Sequence, residues 1–283
     1  MSKVIVITGA SSGIGKSAAF EFLQKGFKVY ACARRVEYMT DIAEFGASIH
    51  RVDITNPGQV EEFIQTVISE EGQVDVLVNN AGFGLYGAVE DITIDQARYQ
   101  YEVNLFGLAH ITKCVLPHMR EQSRGRVINI SSVGGKVYTP LGAWYHSTKH
   151  ALEGWSDCLR IELKQFGIKV VLIEPGIIQT GFGNVMEESI KGASGNGSYT
   201  KMAKSMIALA DDNYNSKGKG SNPIVIGKVI YRAATVSNPK TRYVAGYMAK
   251  LALFGRRFLG DKLLDKVLLS LSLIHISEPT RPY

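Results

Sequence analysis

Seven short runs rich in β-branched and apolar residues, at 3–7, 28–32, 48–52, 74–79, 126–130, 169–173 and 242–245, are separated by longer stretches with helical spacing. This alternation constrains the fold more than any other feature of the chain. Several of the runs are apolar at successive positions, as strands covered on both faces should be. Helical patterns over 16–25, 57–70, 94–119 and 145–165 fill the intervals between them. A strand, a helix and a parallel strand join by right-handed crossovers, so the spacing predicts an α/β, single-domain, doubly wound parallel sheet with helices on both faces. With 283 residues, 45% of them hydrophobic, the chain can bury such a core in one unit.

The first strand runs into Thr8-Gly9-Ala10-Ser11-Ser12-Gly13-Ile14-Gly15, and a helix follows. Glycines let the backbone turn sharply and approach a ligand, while a helix N-terminus offers unpaired N–H groups to an anion. Strand, glycine turn and helix together suit a pyrophosphate, in a Rossmann-like arrangement, although a glycine-rich turn without a ligand is the plainer reading. The spacing is G-x-x-x-G-x-G and not G-x-G-x-x-G. The second strand ends in Arg34-Arg35 with no acid beside them. An acid there would grip the ribose 2′-hydroxyl of NAD, whereas a guanidinium suits the 2′-phosphate of NADP. NADP(H) is the cofactor expected, against the alternative that both arginines are solvated loop charges.

These residues resemble the short-chain dehydrogenase/reductase family. Thr8–Gly15 is similar to its TGxxxGxG turn, and Asn79-Asn80-Ala81-Gly82 to its NNAG segment. Tyr145-His146-Ser147-Thr148-Lys149 resembles its YxxxK motif, Ser132 precedes Tyr145 at the family's offset, and Pro175-Gly176 is similar to its PG after the sixth strand. The resemblance covers about residues 3–246. It implies catalytic roles for Asn104, Ser132, Tyr145 and Lys149. It implies cofactor contacts for Gly9, Ser11, Ser12, Gly13, Ile14 and Gly15, for Asn80 and Ala81, for Tyr145 and Lys149, and for Pro175, Gly176, Ile178 and Thr180. Asp53 and Ile54 would flank the adenine. Asp53 also suits a strand-end turn and Thr180 a helix cap.

Tyr145 and Lys149 stand four residues apart, on one face of a helix. A free tyrosine titrates near 10, too high for acid–base work at neutral pH. A cation about 6 Å away, at an effective dielectric of about 20, favours the phenolate by roughly 3 kcal/mol and brings the group to about 8. On the family's pattern Ser132 would hold the same substrate oxygen, Lys149 would bind the nicotinamide ribose, and Asn104 would steady a water leading to solvent. His146 and His150 read as incidental helix residues. No HExxH and no clustered Cys/His is present, so no metal is expected. The partner is a small carbonyl or alcohol.

The segment at about 181–222 is expected to form a substrate lid, a mobile stretch around a short helix at 201–210. Val133, Tyr138, Leu141, Trp144, Phe182 and Met186 would give an apolar pocket, pointing to a steroid, retinoid or fatty acyl substrate, with small aldehydes and ketones as the alternative. A dinucleotide-sensing regulator without turnover is the reading from another class. A membrane-surface scaffold resting on the C-terminal segment is a third.

From Lys240 onward eight Lys/Arg face three acids, which is five of the chain's six net positive charges. The near-neutral body argues against a nucleic-acid partner. Residues 249–271 are apolar and basic at helical spacing, suited to an anionic membrane surface or to covering the pocket or a partner subunit. The final 272–283, SLIHISEPTRPY, reads as an in-frame translation of a sequencing adapter and is set apart as non-native. An odd number of cysteines, three and widely spaced with no CxxC pair, and the lack of a signal-peptide pattern imply a reducing compartment, the cytoplasm. The resemblance implies a homodimer or homotetramer.

Overall fold

Val4–Thr8 (β1) is buried along its whole length, which requires a neighbouring strand at each edge and a helix layer on each face. The computed structural model, which describes residues 2–215 and 217–273, supplies both. After β1 come Gly13–Leu23 (α1), Lys28–Ala33 (β2), Thr40–Glu44 (α2), Ser48–Arg51 (β3), Pro57–Glu71 (α3) and Val76–Asn79 (β4). The chain continues through Ile94–Tyr101 (α4), Leu108–Glu121 (α5), Gly125–Ile130 (β5), Ala143–Leu163 (α6) and Ile168–Pro175 (β6). Phe182–Ser194 (α7), Thr200–Tyr214 (α8), Ile224–Thr235 (α9), Arg242–Ala245 (β7), Ala249–Phe258 (α10) and Asp261–Leu273 (α11) complete it.

All strand pairs are parallel, in the order β3-β2-β1-β4-β5-β6-β7. The expected sheet is therefore formed, with every expected strand present. The order reverses between β1 and β4, and ligands of open α/β sheets bind outside the carboxyl ends of the strands at such a switch point. One core lies between the sheet and α1, α2 and α9, where Phe22, Ile42 and Ile230 are buried. The other lies under α3, α5 and α6, around Phe63, Ile111 and Leu159. Helix ends follow local signals. Asn56 accepts from Gln59 N–H before α3, with Pro57 in the first turn and Gly72 left-handed after the last. Thr93 and Gln96 cap α4 reciprocally.

Three expectations need correction. The helix predicted over 94–119 is interrupted by a π-turn at Glu102–Gly107, a widening that re-aims side chains and often marks functional positions. Residues 181–222 are not a mobile stretch around one short helix: α7 and α8 pack on each other and close a third apolar cluster. The first of the two, α7, runs through Gly192 to Ser194, well into the stretch expected to be mobile. In the C-terminal segment α11 continues through Leu273, and the remainder of the set-apart tail, 274–283, lies outside the described residues.

Candidate active site

Thr8 ends β1 with its side chain turned to the neighbouring strand end. Its Oγ1 accepts from the N–H groups of Asn80 and Ala81, each at 3.0 Å. Asn80 Nδ2 donates in return to the carbonyls of Thr8 and Gly9, each at 3.0 Å. The glycine turn and the segment after β4 are thereby laced together at the switch point. Gly9 has φ +67°, and a Cβ there would lie 2.8 Å from Ala81 Cα. A Cβ at Gly15 would lie 2.4 Å from Asn80 Nδ2 and 2.6 Å from the Gly9 carbonyl oxygen. Such contacts exclude any side chain, so the turn presents bare backbone. Ser12 opens α1 from an extended conformation without a side-chain cap, and the first turn holds no acid. The N–H groups of that turn are left for an anion. Ser11 is half-buried and Ser12 exposed, while Ile14 packs into the core. The donor set fits a pyrophosphate.

Across the cradle, β6 ends at Pro175 and the chain turns at Gly176, whose N–H donates to the Ala245 carbonyl at 2.9 Å. Ile178 is buried in the core, and the Thr180 methyl faces Gly13, 3.0 Å from where a Cβ would be. Thr180 Oγ1 also accepts from Phe182 N–H at 3.3 Å, so it closes the start of α7 as well as facing the turn.

At the ribose end both expected arginines are exposed beyond β2. Arg34 donates to the Tyr99 hydroxyl at 2.8 Å, and the Arg35 guanidinium stands 5.1 Å from the Tyr38 ring centre. A third cation, Arg51, was missed: it donates to the Arg34 carbonyl at 2.6 Å and pairs with Glu37 at 3.2 Å. Register brings it there, since Arg51 pairs with Ala33 at the end of β2. Asp53 is engaged in its own turn, where its Oδ1 accepts from Thr55 N–H at 3.0 Å and Thr55 Oγ1 at 2.8 Å. Ile54 is buried with its carbonyl against Gly107. The strand-end turn is thus what Asp53 forms.

Ser132, Tyr145 and Lys149 come together past the ends of β5 and β6. Ser132 caps a short 3-10 turn, accepting from Gly134 N–H at 3.0 Å, and its hydroxyl lies near the Tyr145 phenol. Both Tyr145 and Lys149 are buried. Lys149 Nζ donates to the Ile130 carbonyl at 2.9 Å. Here the structure reverses an expectation. Burial pushes the Tyr145 phenol up to about 12 instead of down towards neutrality, and the Ser132 hydroxyl opposes this only in part. Burial likewise holds the Lys149 ammonium down to about 8, with Glu153 on the next turn opposing. Desolvation of both partners outweighs the attraction between phenolate and cation.

Two neighbours differ from their sequence reading. Asn104 sits inside the π-turn, where Nδ2 donates to the Phe83 carbonyl at 3.0 Å and Thr148 Oγ1 at 3.1 Å. Its Oδ1 accepts from Phe83 N–H at 3.1 Å, so its carboxamide is spent joining the segment after β4 to α6. His146 is not incidental. It is buried, with Nδ1 2.9 Å from the Gly134 carbonyl oxygen and Nε2 2.9 Å from Thr139 Oγ1. A carbonyl only accepts, so Nδ1 carries the proton and Nε2 accepts from Thr139. Burial holds the ring neutral, down to about 4. His146 therefore fixes the turn that carries Ser132. Its place three residues before Lys149 and seven before Glu153, both buried on α6, was the available signal.

Over the phenol lies an aromatic roof. The Tyr86 and Phe182 rings stand 5.5 and 5.3 Å from the Tyr145 ring, and Tyr214 packs 5.5 Å behind Phe182. Met186 and Leu141 are buried in the same cluster, and Leu141 holds a left-handed backbone at φ +62°. Two serines of α7 fasten the roof. Ser189 Oγ accepts from Tyr86 N–H at 2.9 Å and donates to its carbonyl at 2.7 Å. Ser194 Oγ accepts from Ala88 N–H at 2.9 Å and donates to Asp91 at 2.5 Å. Beside the roof opens an apolar cavity of about 390 Å³ walled by Tyr138, Leu141, His146, Tyr199 and Met202. Of the expected pocket residues, Tyr138 and Leu141 line it, Phe182 and Met186 belong to the roof, and Val133 and Trp144 do neither. Tyr86 was missed because its loop has neither helical nor strand spacing.

The family model for short chain dehydrogenase matches residues 3–191. A 3-ketodihydrosphingosine reductase of Bacteroides thetaiotaomicron is 34% identical over 249 residues, 88% of this chain and 90% of that protein. A solved short-chain dehydrogenase from Streptomyces avermitilis superposes with a TM-score of 0.79 at 29% identity, over 99% of this chain and all of that one. The closed form of a serine dehydrogenase complexed with NADP+ superposes with a TM-score of 0.75 at 26% identity, over 86% of this chain and 94% of that one. Sheet order, switch-point cradle and these matches agree, and the chain belongs to the short-chain dehydrogenase family of oxidoreductases.

Proposed function

We propose that the protein is an NADP(H)-dependent reductase of lipophilic ketones, acting on a carbonyl and its alcohol. The observation that carries this reading is the buried Tyr145 phenol with the Ser132 hydroxyl near it, one helical turn from Lys149, beside a cradle of bare backbone. Gly9, Gly13 and Gly15 would take the pyrophosphate with the first turn of α1. Arg34 and Arg35, with Arg51 beside them, would take the 2′-phosphate, as permanently charged forks suit a phosphate. The NADP+ held by a structurally similar serine dehydrogenase supports that choice. Asn80, Ala81, Ile178 and Thr180 would line the nicotinamide half.

When bound, NADPH supplies the hydride to the carbonyl carbon. Ser132 then holds the carbonyl oxygen and Tyr145 gives it a proton, so ketone, hydride and proton become the alcohol. A phenol held at about 12 keeps its proton in the free protein, which is the form reduction needs. Lys149 has two further N–H groups besides the one given to Ile130. Turned to a ribose hydroxyl, its charge would favour the phenolate that each turnover leaves. Asn104 acts by holding α6 and the segment after β4 in place, and His146 by holding the Ser132 turn.

The aromatic roof and the apolar cavity support a lipophilic substrate, as does the similarity to a 3-ketodihydrosphingosine reductase. The free thiols of Cys32, Cys114 and Cys158 support a reducing compartment. The test is NADPH oxidation with 3-ketodihydrosphingosine, steroid and retinoid ketones, and small aldehydes, by wild type and Tyr145→Phe. The reading expects turnover on a long-chain ketone, lost by about 10³-fold in Tyr145→Phe with NADPH still bound. Turnover that survives the substitution would overturn it.

A further inference from the structure

Among the described residues, eight of the eighteen exposed large apolar side chains lie between Tyr247 and Leu269. On α10 the exposed Leu251, Phe254 and Phe258 form one stripe, and the two phenylalanine rings lie 4.5 Å apart. On α11 Leu263 and Val267 are exposed one turn apart, while Ala249 and Leu264 are buried. Cations flank the stripe: Lys250, Arg257, Lys262 and Lys266 are all exposed. The acids of this stretch are engaged within the protein. Asp261 pairs with Arg256 at 2.6 Å, and Asp265 accepts from the Tyr138 hydroxyl at 2.8 Å. Apolar side chains ringed by cations are the pattern of a surface that lies in a bilayer interface. No helix among the described residues is long and apolar enough to cross a membrane, so the contact would be in the plane of the surface.

We propose that α10 and α11 dock the protein on a bilayer carrying anionic lipid, with Phe254 and Phe258 inserted and the flanking cations on the headgroups. Charge selects this occupant over a second copy of the chain. From Lys250 to Ser270 there are five Lys/Arg and two acids, and a two-fold contact would set that excess against itself. Position gives the docking a use. Arg256 lies over the Tyr138 ring, 5.8 Å from its centre, and α11 packs on α8. Tyr138 walls the apolar cavity, and α8 contributes Met202 to it. The membrane face thus adjoins the cavity mouth, and a lipophilic ketone would pass from bilayer to site without crossing water. That route, though not the docking itself, rests on the lipophilic-substrate reading.

The test is co-sedimentation of the full chain with vesicles of phosphatidylcholine alone and of phosphatidylcholine with about one quarter phosphatidylglycerol, at low and high salt, with no substrate present. Wild type is expected to bind the anionic vesicles at least about 10-fold more tightly than the neutral ones, and less at high salt. Phe254→Ser with Phe258→Ser is expected to lose most of that binding while reducing a short, water-soluble ketone as wild type does, which shows the fold intact. Wild type left in the supernatant, or a double variant that binds equally, overturns the proposal. So does a wild-type dimer in sedimentation velocity that the double variant lacks. Vesicle binding without turnover of any long-chain ketone would refute the substrate reading and leave the docking standing.

Discussion

The cradle at the sheet's switch point and the aromatic roof above Tyr145 are built on opposite plans. In the cradle, backbone meets backbone: a Cβ at Gly15 would lie 2.6 Å from the Gly9 carbonyl oxygen, and Thr8 and Asn80 lace two strand ends with four hydrogen bonds of 3.0 Å. In the roof, rings touch at 5.3 to 5.5 Å and flexible Met186 and Met206 fill behind them. Bare backbone accepts one ligand shape, because nothing in it can move aside. Side chains in a roof repack, as methionines do most readily. One end of the site is therefore fixed for a common cofactor, and the other is adjustable for a particular substrate.

The sharpest break of this contrast is Gly15→Ala. Its added methyl has nowhere to go, so NADPH binding measured by calorimetry is expected to weaken by at least about 100-fold, close to 3 kcal/mol. Affinity unchanged within about 2-fold would mean that the cradle yields as the roof does. The reciprocal change is Phe182→Ala. It should leave NADPH affinity alone and lower kcat/KM for a long-chain ketone by about 10-fold, through lost apolar contact. A loss shared equally by cofactor and substrate would deny the division.

Smaller effects probe how the roof is fastened. Ser194→Ala strands the Ala88 N–H and one oxygen of Asp91, and should cost about 1 kcal/mol, or roughly 3 °C in Tm. Calorimetry of the variant reads this, and an unchanged Tm would mean that the strap is redundant. The smallest effect is a pH slope. His146 is held down to about 4 when folded and returns to its ordinary 6.5 when unfolded. The folded state then binds fewer protons, so this contribution is present above the unfolded value and is lost as pH falls towards the folded one. Between about pH 8 and about pH 6 the loss is a little under 1 kcal/mol. His146→Asn, whose amide keeps a donor for Gly134, should remove that slope from the difference between variant and wild-type stability curves. Parallel curves would show that the ring is not buried neutral.

The same division decides what the chain's letters reveal. Glycines at a strand-to-helix turn, arginines after β2 and the Tyr145–Lys149 spacing are local patterns, and each could be read without coordinates. So could the seven strands: the five central ones are mostly buried and largely apolar, while the edge strands β3 and β7, only partly buried, are short runs between helical stretches. What stayed hidden depends on contacts between distant segments. His146 shows its role only when Gly134 and Thr139 fold against it, and Arg51 reaches Arg34 only through sheet register. Tyr86 sits in a loop with no periodic signal, yet its ring packs 5.5 Å from that of Tyr145. The π-turn has the spacing of an ordinary helix, and only the bonds of Asn104 to Phe83 and Thr148 account for its place. The direction of the Tyr145 shift failed for the same reason. Burial is a property of the assembled roof, and no pair of residues along the chain carries it.

The most direct measurement is the titration of Tyr145 itself, by ultraviolet difference spectra against Tyr145→Phe, in the free protein and with NADP+ bound. The expected phenol titrates near 12 in the free protein and about two pH units lower with NADP+ bound, where a Lys149 ammonium turned to the ribose would favour the phenolate. A phenol that titrates at the same pH in both states would contradict that expectation.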